Sequence, residues 1–229
     1  MKKSYEAVLF DLDDTLIDFK RSEEISLRKC YAKYFHHLVS WDAFQTDYLS
    51  INRALWNLAE EGEIRTSAIS ELRFQQLADL YRIPFLPKIV QFYEEQLIFN
   101  SHWIEGAEEL LDVLKERAIP VAFISNGFTY LQRDKQKKLG LSRYSQHMVV
   151  SDECGVAKPH PKIFQTALEL IKTDPMNTLM IGDSLTSDGQ GAKNLQMPFC
   201  WYNPLRLPTP ADWQPDIVIH TLKDCLSIF

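Results

Sequence analysis

The chain has 229 residues, of which 45% are hydrophobic and 12% aromatic, so it can bury a full core and is too apolar to be disordered. Its net charge of −6 argues against binding to a nucleic-acid polymer, because such binding depends on clustered Lys and Arg side chains. Its apolar runs are too short to cross a bilayer, and its four scattered cysteines suggest neither a zinc site nor a disulfide framework. We therefore expect a cytoplasmic protein that binds no membrane.

The first predicted element is a short apolar run at residues 7–10, which ends in acidic residues, as a buried strand does when it delivers carboxylates to a crevice. From about residue 21 to residue 99 the sequence is amphipathic over long stretches, which predicts roughly four helices with no strand between them. After Gly106, helical stretches alternate with short apolar runs. The strands predicted there lie at 121–124, 148–150, 178–181, 199–202 and 217–219.

This alternation predicts parallel pairing with right-handed crossovers, and hence an α/β protein with a doubly wound, Rossmann-like parallel sheet. Because the helical block lies between the first two strands, we interpret it as an inserted all-helical cap. The predicted domains are a core at 1–18 and 103–229 and a cap at 19–102. We expect hinges where the chain passes between them, near 18–21 and 101–105.

Acidic residues follow the first predicted strand. Asp11 and Asp13 are two residues apart, so both carboxylates can project into one site, where one stays ionised on a metal while the other exchanges protons. For this segment alone, an acidic turn is an equally good explanation.

A small polar segment, Ser125-Asn126-Gly127, follows the second predicted strand. A hydroxyl and free backbone N–H groups at a helix start can cradle an anion. Thr129 and Gln132 have the spacing of a capping box, so a capped turn is the competing explanation.

Two further features follow later strands. Pro159 favours an extended conformation at Lys158, which can aim the ammonium at the crevice, although a single lysine is usually solvated. In the segment that begins at Gly182, Asp183 is placed to bind a cation, and Asp188 lies near a helix start, where a carboxylate is favoured in any case.

All four features fall at the carboxyl ends of predicted parallel strands, where open α/β sheets place their ligands. Together they supply carboxylates, an anion cradle and one cation. Carboxylates without His or Cys suit Mg²⁺, which prefers oxygen ligands and accepts a phosphate oxygen. The combination favours one functional site over four unrelated turns.

These residues resemble the haloacid dehalogenase superfamily, in order and across nearly the whole chain. The resemblance implies that superfamily's α/β core, with a helical cap of its first type. The matching positions are Asp11, Asp13 and Thr15 in the first motif, Ser125 in the second, Lys158 in the third, and Gly182, Asp183 and Asp188 in the fourth.

The resemblance implies a magnesium-dependent phosphatase in which Asp11 attacks phosphorus and Asp13 acts as general acid and base. The metal ligands would be Asp11, Asp13 through its carbonyl, and Asp183. Thr15 and Asp188 would support them.

The resemblance also implies that three residues of this chain hold the transferring phosphoryl group: Ser125, Asn126 and Lys158. True dehalogenases of the superfamily lack the second aspartate, so Asp13 favours phosphate chemistry.

Within the superfamily, residues 124–129 and 156–159 are similar to the pyrimidine 5′-nucleotidase branch, which clears noncanonical nucleotides. The likeness extends into the cap, where Trp56 and Arg73 are the candidate substrate contacts. The implied partner is a small phosphorylated metabolite, in particular a nucleotide. A sugar-phosphate or other metabolite phosphatase, a phosphomutase, and a non-catalytic regulatory protein remain alternatives, and the oligomeric state stays open.

Overall fold

The computed structural model describes residues 5–60, 62–209, 211 and 213–229. Across these residues, six strands form one parallel sheet, which confirms the predicted α/β fold. The strands are β1 (Ala7–Asp11), β2 (Val121–Ser125), β3 (Met148–Val150), β4 (Thr178–Gly182), β5 (Phe199–Tyr202) and β6 (Ile217–Ile219).

Helices connect these strands. Five lie between β1 and β2: the four long helices of the helical block that the sequence predicts, and a shorter one after Gly106. The helices are α1 (Phe19–Tyr34), α2 (Trp41–Glu60), α3 (Ile69–Leu80), α4 (Pro87–Asn100), α5 (Ala107–Glu116), α6 (Thr129–Leu139), α7 (Ser151–Cys154), α8 (Pro161–Ile171) and α9 (Gln190–Asn194). Within the described ranges, none of them combines the length and apolar character that a bilayer crossing requires.

The strand order is β3-β2-β1-β4-β5-β6, so β1 is flanked by β2 on one side and β4 on the other. The chain winds outward in both directions from this centre, and a doubly wound sheet opens a crevice at such a switch point. Asp11 pairs with Ile124, and Phe10 pairs with Ile181. This register brings the carboxyl ends of three strands side by side.

The residues of β1 alternate between the two faces of the sheet. Val8 and Phe10 belong to a core cluster that includes the apolar side of α5. Leu9 belongs to a second cluster with the apolar side of α8. A strand covered on both faces has no polar side, which explains why its sequence is apolar without a break.

The chain forms two compact units. The core unit contains the described residues up to Phe19 and His102–Phe229, and the helical unit contains Lys20–Ser101. The helical unit has a core rich in rings, in which Phe44, Tyr48 and Phe74 are fully buried.

The two passages between the units lie beside each other in the core unit. The Asp18 amide donates to the carbonyl of His102 at 3.1 Å, and Ile17 forms an antiparallel bridge with Trp103. On the helical side, Ser22 Oγ donates to the carbonyl of Asn100 at 3.1 Å. The helical unit is therefore an insertion whose two ends meet.

Candidate active site

Three aspartates converge at the carboxyl end of the sheet. Asp11 is the last residue of β1, Asp183 follows β4, and Asp188 lies in a turn of π-helix, Leu185–Gly189. One carboxylate oxygen of each lies within 4.8 Å of the others. Asp11 and Asp188 are buried, so their charges are poorly screened by water.

Lys158 joins two of these carboxylates. Its Nζ lies 2.5 Å from Asp11 Oδ1 and 2.7 Å from Asp188 Oδ1, and it also donates to the carbonyl of Ile124 at 3.2 Å. Burial lowers the pKa of Lys158, but Asp11 and Asp188 more than offset this and raise the pKa above its usual value. The ammonium is therefore held in its charged form.

The electrostatics of this cluster favour a further cation. Burial raises the pKa of Asp11, and Asp188 and Asp183 raise it further, whereas Lys158 lowers it. Asp11 Oδ2 is buried and has no hydrogen-bond partner among the described residues. An open carboxylate oxygen within an all-oxygen, negatively charged set is what a hard divalent ion requires. The residues present fit Mg²⁺.

Asp188 differs from Asp11 because both of its oxygens are engaged. Oδ1 accepts from Lys158, and Oδ2 accepts from the backbone N–H of Ser184 at 3.1 Å. A Cβ at Gly182 would overlap the Asp188 carboxylate, so the glycine leaves the space that this side chain occupies. The space that the Asp188 carboxylate needs thus explains why a glycine begins this sequence motif.

Thr15 fixes the neighbouring loop. Its hydroxyl is buried and accepts the backbone N–H of Asp183 at 3.1 Å, and the Asp183 carbonyl accepts from Trp201 Nε1 at 2.9 Å. The main chain of Asp183 is therefore bound from both sides.

Asn126 binds the main chain of Lys158 through both ends of its amide. Its Oδ1 accepts the Lys158 N–H at 2.7 Å, and its Nδ2 donates to the Lys158 carbonyl at 3.0 Å. Ser125 is buried, and its Oγ accepts the N–H of Gly127 at 3.1 Å. The segment after β2 thus positions the lysine directly.

The Asp13 carboxylate is not one of the three that converge, and it is bound by side chains of α6. Gln132 Nε2 donates to its Oδ2 at 2.6 Å, and Lys135 Nζ lies 2.6 Å from its Oδ1. The capping box predicted for Thr129 and Gln132 is wrong, since α6 starts after Phe128 without a side-chain cap. Gln132 extends to Asp13 instead.

Sequence reasoning missed Lys135. The available signal was the three-residue spacing of Gln132 and Lys135, which places them on one face of α6. In the helical unit, Trp56 is partly buried, and Arg73 is buried against Tyr48 and Tyr93.

A family model described as haloacid dehalogenase-like hydrolase matches residues 5–196. The chain belongs to this family. The expected resemblance and the expectation of an enzyme are thereby confirmed.

Two curated relatives match this chain over almost its whole length. Pyrimidine 5′-nucleotidase PynA of Streptococcus pneumoniae is 30% identical over 97% of this chain and 94% of its own length. Pyrimidine 5′-nucleotidase YjjG of Escherichia coli is 31% identical over 95% of this chain and 94% of its own length.

A solved structure of a family member also matches this chain over almost its whole length. The HAD-hydrolase YfnB from Bacillus subtilis, in a crystal form bound to magnesium, has a TM-score of 0.85 and 28% identity over 99% of both chains. This chain is thus similar, over its whole length, to a family member that binds magnesium.

Proposed function

We propose that this haloacid dehalogenase-like hydrolase is a magnesium-dependent phosphomonoesterase that acts through an aspartyl phosphate on Asp11. The proposal rests above all on one observation, the unpartnered Asp11 Oδ2 within a buried cluster of carboxylates beside Lys158. We propose pyrimidine nucleoside 5′-monophosphates as the preferred substrates, because two relatives that span the chain are pyrimidine 5′-nucleotidases.

In the first step, an oxygen of Asp11 forms a bond to phosphorus, and the bond between phosphorus and the leaving oxygen breaks. Asp13 gives its proton to that oxygen as it leaves, which prevents the build-up of an alkoxide. Asp11 now carries the phosphoryl group, and Asp13 is ionised.

In the second step, Asp13 takes a proton from water as the water oxygen bonds to phosphorus. The bond between phosphorus and Asp11 breaks, so phosphate is released and the Asp11 carboxylate is restored. Asp13 returns to its protonated form, and the cycle balances in atoms and protons.

The carboxylates of Asp11 and Asp183 and the carbonyl of Asp13 would hold Mg²⁺. Asp188 and Thr15 would support this set, since both Asp188 oxygens are engaged and Thr15 binds the Asp183 amide. The ion would supply positive charge against the carboxylates and the phosphate.

The phosphoryl oxygens would be held by the Ser125 hydroxyl, the Asn126 N–H and the Lys158 ammonium. Donors positioned before the reaction carry most of the catalysis in phosphoryl transfer, because they need not reorganise as charge moves. The Asn126 side-chain amide supports this arrangement, since it binds the main chain of Lys158 and so holds the two residues together.

Asp11→Asn should abolish phosphate release while the fold is retained, because an amide oxygen is a far weaker nucleophile. Released phosphate measures turnover, and circular dichroism measures folding. Asp14→Asn is the matched control, since Asn tolerates the positive φ of 65° at this position, and it should stay near the wild-type rate. An Asp11→Asn enzyme that keeps its turnover would contradict covalent catalysis.

A screen of about a hundred phosphate monoesters in the presence and absence of Mg²⁺ tests the substrate class. Highest kcat/KM on pyrimidine 5′-monophosphates supports the proposal. Preference for sugar phosphates would make the enzyme a sugar-phosphate phosphatase, and transfer without release would make it a mutase. No hydrolysis of any ester, p-nitrophenyl phosphate included, would indicate a regulatory protein.

A further inference from the structure

The Asp13 carboxylate is held by two donors from one helix. Gln132 Nε2 lies 2.6 Å from Oδ2, and Lys135 Nζ lies 2.6 Å from Oδ1. Both donors belong to α6, which follows β2 in the core unit. Each oxygen of Asp13 thus accepts one hydrogen bond and keeps a lone pair for another partner.

Both donors are buried to a degree unusual for their residue types. Gln132 is 1% exposed and Lys135 2% exposed. A lysine is almost never buried to this extent unless a partner compensates for the lost hydration. Its partners here are the Asp13 carboxylate and the ring of Phe19, whose centroid lies 4.6 Å from Nζ.

The turn before α6 leaves room for this contact. A Cβ at Gly127 would overlap the amide of Gln132. Gly127 therefore lets Gln132 extend from the helix to Asp13 without displacement. The three residues Gly127, Gln132 and Lys135, all after β2, therefore act together to hold the Asp13 carboxylate.

We propose that Gln132 and Lys135 are positioning residues for Asp13 in catalysis. The inference rests on the proposed function, in which Asp13 meets first the leaving oxygen and then water. A carboxylate bound through both oxygens keeps one rotamer through both steps, and small losses of alignment in proton transfer cost large factors in rate. The remaining lone pairs are free for the proton.

Lys135→Met and Gln132→Met test this role, because each keeps much of the side-chain volume and removes one donor. The readout is kcat/KM on phenyl phosphate and on p-nitrophenyl phosphate, which differ little in shape but strongly in the basicity of the leaving oxygen. In each variant, kcat/KM should fall about tenfold more on phenyl phosphate than on p-nitrophenyl phosphate, since the poorer leaving group depends more on a well-placed acid. Lys137→Met, on the exposed side of α6, should change neither value.

A double-mutant cycle with Asp13→Ala separates the positioning role from a structural one. Added to Asp13→Ala, Lys135→Met should cause no further loss, because its effect passes through the missing carboxylate. Equal losses on both esters, or additive losses in the Asp13→Ala background, would overturn the inference. If Lys135→Met does not fold, Gln132→Met, which removes no charge, decides by the same criteria.

The same measurements on Asp13→Ala distinguish failure of the proposed mechanism from failure of the positioning role. If Asp13→Ala lowers kcat/KM by the same factor on both esters, Asp13 is not the general acid. The proposed mechanism is then overturned together with the inference. If Asp13→Ala shows the leaving-group effect and neither methionine variant does, only the positioning role is wrong.

Discussion

At the scale of single residues, the roles that we propose for the aspartates follow from which of their oxygens are already bound. Asp188 has both oxygens engaged, by Lys158 and the Ser184 amide. Asp13 is held at both by α6. Asp11 accepts from Lys158 at Oδ1 and leaves Oδ2 open. The open oxygen is the natural nucleophile or metal ligand, and the engaged ones suit support and proton transfer.

Lys158→Met should reduce kcat by about a hundredfold or more, as expected when one preorganised donor to the transferring phosphoryl group is removed. It also removes the charge that offsets repulsion between Asp11 and Asp188. Phosphate release at saturating Mg²⁺ and substrate measures the effect. Lys162→Met, at an exposed lysine nearby in sequence, should have no effect. An unchanged kcat for Lys158→Met would place the ammonium outside the reacting centre.

The sequence predicted where Asp11, Lys158 and Asp183 would meet because each follows a strand, and parallel strands end at one edge of a sheet. It did not predict that Gln132 and Lys135 reach Asp13. That contact depends on the direction of two long side chains and on the space left by a glycine in the preceding turn. The three-residue spacing of Gln132 and Lys135 indicates that they share one face of α6, but it shows neither of these properties.

At the scale of elements, the predicted strands agree with the structure to within one residue at each end. Buried parallel strands are short apolar runs bounded by polar residues, so their limits are visible in the sequence. The four-residue α7 was not predicted, because so short a segment shows no helical periodicity. Asp188, which was expected near a helix start, lies in the π-helical turn Leu185–Gly189 directly before α9. The helices of the helical unit were predicted, but their internal polar contacts were not.

Those contacts centre on Arg73, which donates to the Tyr48 hydroxyl. That hydroxyl also lies 2.6 Å from the Tyr93 hydroxyl and donates to Glu23 at 3.0 Å. Arg73 is 4% exposed, so its charge is balanced inside the helical unit.

Arg73→Met should therefore lower the free energy of unfolding by about 2–4 kcal/mol, because Glu23 and two buried hydroxyls lose their cation. Urea unfolding followed by near-ultraviolet circular dichroism measures this change. Arg53→Met, at an exposed position of α2, is the control and should be neutral. Unchanged stability with a raised KM would instead make Arg73 a substrate contact, as the family resemblance suggested.

At the scale of the whole molecule, the chain passes between the two units at Phe19 to Lys20 and at Ser101 to His102. We expect these passages to act as hinges. Hydrogen exchange at residues 18–21 and 101–105 should slow when Mg²⁺ and orthovanadate, a phosphate mimic, are added together. Peptides from α8 serve as the internal reference and should not change. Exchange that stays the same at both passages would argue against a moving cap.

The pairing of Asp18 with His102 has a consequence for how this fold tolerates change. Within the core unit, this hydrogen bond already joins the two ends between which the helical segment is inserted, so contacts of the core unit itself set the positions of β1 and β2. Because loop-closure entropy grows only slowly with length, lengthening or replacing the insertion should add little strain to these two strands. The inserted unit is thus the part of the chain that can change in sequence and length while the sheet and its aspartate cluster stay as they are.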